Sequence, residues 1–225
     1  MKIHKLFRAA TATALILTST VGLKAQDENL VPNGGFEDTN INKLKSYGQI
    51  EEFGMDWFSA SSVPADIYGE GAKGDKVGIP INNYGKQDAA GGLCYAGFRA
   101  YSKDPKLKRN YLEVQLSQPL DRDVMYCVSF DISLADMSRY AVNEIGVIVS
   151  DRKIEQTNDG DMIRNADIKH KTNKVFQYAE GWEKFCGTFV GTGQEEYILM
   201  GCFGGRNNLD IEKVSRPQGM SGAQV

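Results

Sequence analysis

Apolar and polar residues alternate at every second position along much of this chain, the pattern of strands with one buried face. In residues 93–101, Cys94, Ala96, Phe98 and Ala100 fall on one face and Tyr95, Arg99 and Tyr101 on the other. In 111–116, Leu112, Val114 and Leu116 are expected inward, with Tyr111, Glu113 and Gln115 outward. In 126–134, Tyr126, Val128, Phe130, Ile132 and Leu134 form the buried stripe and Cys127, Ser129, Asp131 and Ser133 the reverse. Residues 144–150, 182–190 and 195–203 continue the series, and 56–60 and 65–68 read as shorter strands. A spacing of three is confined to Ile41, Leu44, Tyr47 and Ile50, within a stretch expected to be a loop with at most a short helical turn. Residues 69–92 are rich in Gly and Pro and read as a long surface excursion, and 151–180 as a polar loop. Many strands with turn signals between them predict an all-β, two-sheet sandwich.

The stretch Asn29-Leu30-Val31-Pro32-Asn33-Gly34-Gly35-Phe36-Glu37 organises the start of this domain. Leu30 and Val31 can pair into a sheet, Pro32 restricts that pairing to an edge or a strand start, and Asn33-Gly34-Gly35 tolerates positive φ before Phe36 returns to the core. Before it, Lys2, Lys5 and Arg8 make a basic start, residues 9–21 an apolar run too short to span a bilayer, and Ala25 a cleavage point. Residues 1–25 are therefore expected to be a secretory signal peptide and 26–225 the mature domain, with no later stretch long enough for a transmembrane helix.

Export changes the charge and the redox setting. Loss of residues 1–25 leaves 22 Lys and Arg against 29 Asp and Glu, a net charge of −7, which argues against nucleic acid or anionic lipid as partners. A β domain of this size buries roughly 70% of its extended-chain surface, enough for an ordinary core. Four cysteines in an exported chain predict two disulfides. None is spaced C-x-x-C, and His170 is the one histidine of the mature chain, so zinc and thioredoxin-like chemistry lack their ligands.

The remaining motifs favour binding over catalysis. Gly69, Gly71 and Gly74 spell G-x-G-x-x-G, but Gly78 and Pro80 forbid the helix that a dinucleotide site needs. Ser-His hydrolysis would rest on His170 in a polar loop without a G-x-S-x-G motif. Adjacent carboxylates such as Glu51 with Glu52 or Glu195 with Glu196 point to opposite strand faces, although carboxylates distant in sequence remain available for glycan cleavage. Sugar rings need an aromatic face beside planar polar groups. Two surfaces offer one: an outward sheet face bearing Tyr111, Gln115, Tyr197 and Phe203, if Cys202 points inward, and a loop-end cluster of Tyr47, Trp57 and Tyr84. The plainer role of Trp57 and Trp182 is packing in the core or at its rim.

The N-G-x-F-E segment, Asp56-Trp57-Phe58, Cys94 to Arg99, Tyr126 to Phe130, Gly181-Trp182-Glu183 and Phe185 to Thr188 follow one another in an order that resembles a known family. It is the carbohydrate-binding-module-like N-terminal module of OmpA-family envelope proteins of the Bacteroidota type. That resemblance covers nearly all of residues 29–225 and implies a galactose-binding-like jelly roll. It places the strands of Cys127 and Cys186 side by side, which makes Cys127–Cys186 the favoured bridge, with Cys94 meeting Cys202 from the facing sheet. It also implies a structural calcium at Glu37. The closing strand usual in the family, with its Asp, is not found before Val225, so either the chain belongs to a longer protein or another chain donates the strand. The expected role is a non-catalytic, exported module of the periplasm or outer membrane that binds envelope glycan. The alternatives are a structural module contacting envelope proteins, or a glycan-cleaving enzyme.

Overall fold

The computed structural model describes residues 1–8, 29–158 and 160–215. The chain is all-β. A three-stranded antiparallel sheet joins β1 (Lys2–Arg8), β8 (Val124–Ile132) and β12 (Glu183–Val190), in the order β1-β8-β12. A five-stranded sheet contains β2 (Trp57–Phe58), β7 (Leu112–Gln115), β10 (Ile145–Ser150), β11 (Ile168–Lys169) and β13 (Tyr197–Cys202), in the order β11-β10-β13-β7-β2. Three two-stranded ribbons complete it: β3 (Asp66–Gly69) with β6 (Cys94–Gly97), β4 (Ile81–Asn82) with β5 (Gly85–Lys86), and β9 (Tyr140–Val142) with β14 (Ile211–Lys213). Helix is limited to one turn, α1 (Ile50–Phe53), and two short 3-10 turns at Ile41–Lys43 and Arg206–Asn208. Among the described residues no helix is long and apolar enough to cross a membrane.

The two large sheets share one core. Tyr126, Val128, Phe130 and Phe185 from the three-stranded sheet pack with Leu112, Val114, Val147, Ile198 and Met200 from the five-stranded one. Phe130 and Phe185 lie opposite each other in register, and their rings stack at 4.4 Å. The alternation of β8 is kept because its second face meets solvent: Cys127, Ser129 and Asp131 are partly or fully exposed. The five-stranded sheet behaves differently. Its far face is covered by residues 151–158 and 160–166, so Tyr111, Ile148, Leu199 and Phe203 form a second apolar cluster with Ala60, Ile154 and Met162. Burial on both faces explains why β10 and β13 read as near-continuous apolar runs, whereas β7 alternates and buries Glu113 on its strap side.

That covering strap is fastened by polar groups. The Ile154 N–H donates to Glu113 Oε1 at 2.7 Å, and the Met162 N–H to Tyr111 Oη at 2.7 Å. Asp161 accepts from Arg206 Nε at 2.6 Å and faces Arg109 Nε at 3.7 Å. Arg109 is 2% exposed and donates to the carbonyls of Cys202 (3.1 Å) and Gly204 (2.7 Å).

Several expectations are corrected. The 29–37 stretch is not a strand: Leu30 and Val31 are buried, but Leu30 makes single backbone bonds to Ile3 and Ser117. A bend is present, with positive φ at Asn33 as expected but then at Phe36 rather than at Gly34 or Gly35, and the Asn33 side chain is bonded to the backbone of Asp38 and Met55. The basic start of the expected leader is strand β1, whereas its apolar run and the cleavage point at Ala25 lie outside the described residues. All four cysteines are free. Cys127 and Cys186 do sit on neighbouring strands and on the same solvent face. However, Cys127 is opposite Thr188 and Cys186 opposite Ser129, so the two sulfurs belong to diagonal rather than facing positions. Cys94 lies on a separate ribbon against Gly69, and Cys202 lies beside the Asn143 carbonyl, so that pair is not joined either.

Candidate functional site

A cleft of about 660 Å³ lies beside the β3–β6 ribbon, reaching the end of β8 and the β9 region. Its wall is aromatic. Tyr68 and Tyr95, directly opposite in the β3–β6 register, stack at 5.0 Å with 23° between planes. Trp182 meets the edge of Tyr95 at 5.5 Å. Tyr84 stands edge-on to Tyr68 at 6.3 Å and to Tyr47 at 5.2 Å. At the other end Tyr101 and Tyr140 meet at 5.6 Å. Gly97 makes the stack possible, because a Cβ there would lie 2.9 Å from the Tyr68 ring.

Polar groups fix these rings. Asn82 Nδ2 donates to Tyr95 Oη and to the Gly78 carbonyl, both at 3.0 Å, and Trp182 Nε1 donates to the Asp88 carbonyl at 2.8 Å. Tyr68 Oη donates to Asp66 Oδ2 at 3.1 Å, while Asp66 Oδ1 accepts the Gly48 N–H at 2.6 Å. Burial pushes Tyr84 and Tyr95 up to about 12 and Tyr68 well above its ordinary value, so all three phenols keep their protons and remain hydrogen-bond donors. Arg99 donates to the Lys108 carbonyl at 3.1 Å, and its buried Nε has no hydrogen-bond partner. The cleft therefore offers flat apolar faces with fixed donors and acceptors at their edges.

The carboxylates around the cleft are already engaged. Glu37 accepts the backbone N–H groups of Leu93 and Cys94 at 2.9–3.0 Å through both oxygens. Glu37 is also the residue at which the resemblance implies a calcium ion, and these amides are the partners of its carboxylate here. Asp136 accepts the Lys86 N–H at 2.9 Å, and Glu183 pairs with Lys174.

Of the binding residues expected from sequence, Tyr84 lines this cleft and Tyr47 supports it from behind. Trp57 does not join them: it is 3% exposed, packs on Phe36 at 4.8 Å and donates its Nε1–H to the Asn33 carbonyl. Tyr111 and Phe203 are not on an outward face. Both are fully buried and stacked on each other at 5.7 Å beneath the strap, even though Cys202 does point inward. Gln115 is exposed and Tyr197 half-buried, and they sit near a shallow depression where Lys153 lies over Phe58. Tyr95, Arg99 and Tyr101, read from alternation as the polar side of their segment, line the cleft, but so do Cys94, Ala96, Phe98 and Ala100, because the strand ends at Gly97 and the alternation stops there. Tyr68, Tyr140 and Trp182 come from three other segments, and alternation along one segment does not show that they converge. Comparison with protein families, with curated proteins and with solved structures found no match to this chain.

Proposed function

We propose that the chain is a non-catalytic glycan-binding module and that the aromatic cleft is its binding site. The observation that carries this reading is the Tyr68–Tyr95–Trp182 cluster, with Asn82, Asp66 and Arg99 at its rim. Ring faces suit the C–H faces of a pyranose, and rim groups of this kind hydrogen-bond its hydroxyls; an apolar wall with a few placed polar groups is the usual build of a small-molecule site. The carboxylates at the cleft are held as acceptors by backbone amides or a lysine, an arrangement that serves recognition better than proton transfer. The all-β, sandwich-like fold, the leader expected from residues 1–25 and the resemblance to OmpA-family modules are the support for an exported, envelope-associated setting and for glycan of the cell envelope as the ligand. A β-sandwich alone does not fix a function, so the cleft bears the weight.

The test is binding of the full chain to a glycan array and to peptidoglycan fragments, followed by titration of the best ligand. Tyr95→Ala is expected to weaken binding at least about 30-fold, the effect of removing a central aromatic anchor worth about 2 kcal/mol. Tyr95→Phe keeps the stack and is expected to lose less. Gln115→Ala, at an exposed position remote from the cleft, checks the alternative face. Absence of binding to any glycan, or equal binding by a folded Tyr95→Ala protein, overturns the reading and leaves the assembly role.

A further inference from the structure

Strand β1 does not lie on an open edge. On one side it is antiparallel to β8, from Lys2 opposite Ser129 to Arg8 opposite Val124, with a bulge between Lys5 and Phe7. On its other side the Ile3 N–H donates to Asn29 Oδ1 at 3.1 Å, the Leu30 N–H to the Ile3 carbonyl at 3.2 Å, and Asn29 Nδ2 to the Met1 carbonyl at 3.2 Å. The Met1 amine bonds the Gly34 carbonyl. Residues 1–3 thus have backbone partners on both flanks, and Ile3, 0% exposed opposite Val128, is part of the main core. The amide and carbonyl of Ile3 and the carbonyl of Met1 are answered in the same way as those of an interior strand.

These residues are also the basic start of the expected leader. A chain that loses them keeps only β8 and β12 of the three-stranded sheet, with an unpaired β8 edge, an Asn29 side chain and a Leu30 N–H without their Met1 and Ile3 partners, and a core hole the size of an isoleucine side chain. Each of these is costly to leave open. The electrostatics favour a cation at one end, where Asp121 takes Lys5. At the other end burial pushes the Met1 amine down to about 6, against the pull of Asp131. The Lys5 pair is exposed and contributes orientation more than affinity.

We propose that the channel between β8 and residues 29–34 is a strand-accepting slot. Once the leader is gone it takes an extended basic segment of another polypeptide, antiparallel to β8 and with a branched aliphatic side chain in the place of Ile3. Recognition is by β-augmentation: the backbone ladder supplies affinity, and the Ile3 pocket supplies register. A one-residue slip would turn that side chain out to solvent. This inference is independent of what the aromatic cleft binds, although Met1 and Lys2 line that cleft and the donated strand would complete its wall.

The experiment uses the full chain with a specific protease site placed within residues 9–28, and a synthetic peptide Met1–Arg8 carrying a fluorophore at its C-terminus. After cleavage the resident fragment is expected to stay bound and, in mild denaturant, to exchange for the labelled peptide. The uncut chain is expected to take up at least 10-fold less. An Ile3→Asp peptide is expected to bind at least 30-fold more weakly and a Lys5→Glu peptide several-fold more weakly. No peptide uptake once the fragment has left, or equal uptake of the Ile3→Asp peptide, overturns the slot. N-terminal sequencing of the exported protein tests the other half: a chain that still begins at Met1 keeps its own strand and overturns donation in trans.

Discussion

Replacing Asp161 with alanine is expected to destabilise the protein by about 3 to 5 kcal/mol, the usual cost of stripping one partner from a buried charge pair. Arg109 is the reason. Its side chain is 0% exposed, two of its nitrogens have no hydrogen-bond partner, and the Asp161 carboxylate at 3.7 Å is its paired negative charge among the described residues. Arg206, the other partner of Asp161, is about one-third exposed and can turn to water, so the penalty falls on Arg109. The loss also frees the strap, because Asp161 is adjacent to Met162, whose N–H and side chain cover Tyr111. Urea unfolding measures it, as a lower midpoint with little change in slope. The double change Asp161→Ala with Arg109→Met removes the stranded charge and is expected to recover more than half of the loss. A single-variant loss below 1 kcal/mol would show that water already reaches Arg109.

The same strap explains which parts of the fold were legible in the sequence. Alternation is a reliable guide where one face of a strand meets solvent, and β8 and β12 follow it: Val128, Phe130 and Phe185 are buried while Cys127 and Cys186 are not. It misleads where a remote segment covers the second face. Tyr111, Glu113 and Phe203 have the right period for an outward surface, but the strap carrying Ile154 and Met162 returns over them. Nothing in the local text around Tyr111 distinguishes solvent from a strap 40 residues away; the apolar Ile154 and Met162 inside an otherwise polar loop were the available signal. The cleft divides in the same way. The meeting of Tyr47 with Tyr84 was readable as part of a loop-end cluster, whereas alternation did not single out Tyr95, Arg99 and Tyr101, because β6 ends at Gly97 and both sides of residues 94–101 line the cleft. Convergence of Tyr68, Tyr140 and Trp182 on them depends on ribbon pairing and on the β9 region, which are long-range contacts. The strand role of residues 2–8 was hidden by a stronger pattern, the leader-like charge and hydropathy of the first 25 residues.

Stability is expected to fall between about pH 4.5 and pH 7 through one carboxyl group, Glu113. The residue is 0% exposed on the strap side of β7, and burial pushes its pKa from 4.5 up to about 7, against the opposing pull of the Ile154 N–H and Lys153. Oε1 accepts that N–H, and Oε2 has no partner, the arrangement of a carboxyl that keeps its proton. The unfolded chain releases this proton near pH 4.5, whereas the folded chain holds it until about 7. Across that interval the folded state binds more protons, so stability is full below pH 4.5 and declines as pH rises through 7. At 1.36 kcal/mol per pH unit the decline approaches about 3 kcal/mol. Glu113→Gln has the shape of the protonated acid and still accepts from Ile154. It is therefore expected to match the wild type at pH 4 and to exceed it by about 3 kcal/mol at pH 8, in parallel urea titrations at the two pH values. Equal stability of the two proteins at pH 8 would mean that Glu113 ionises freely, and that the strap over β7 admits water. Because Asp161 and Glu113 fasten the same strap, one to a buried guanidinium and the other through a retained proton, the two experiments report on a single closure. A strap that opens in solution would weaken both effects together.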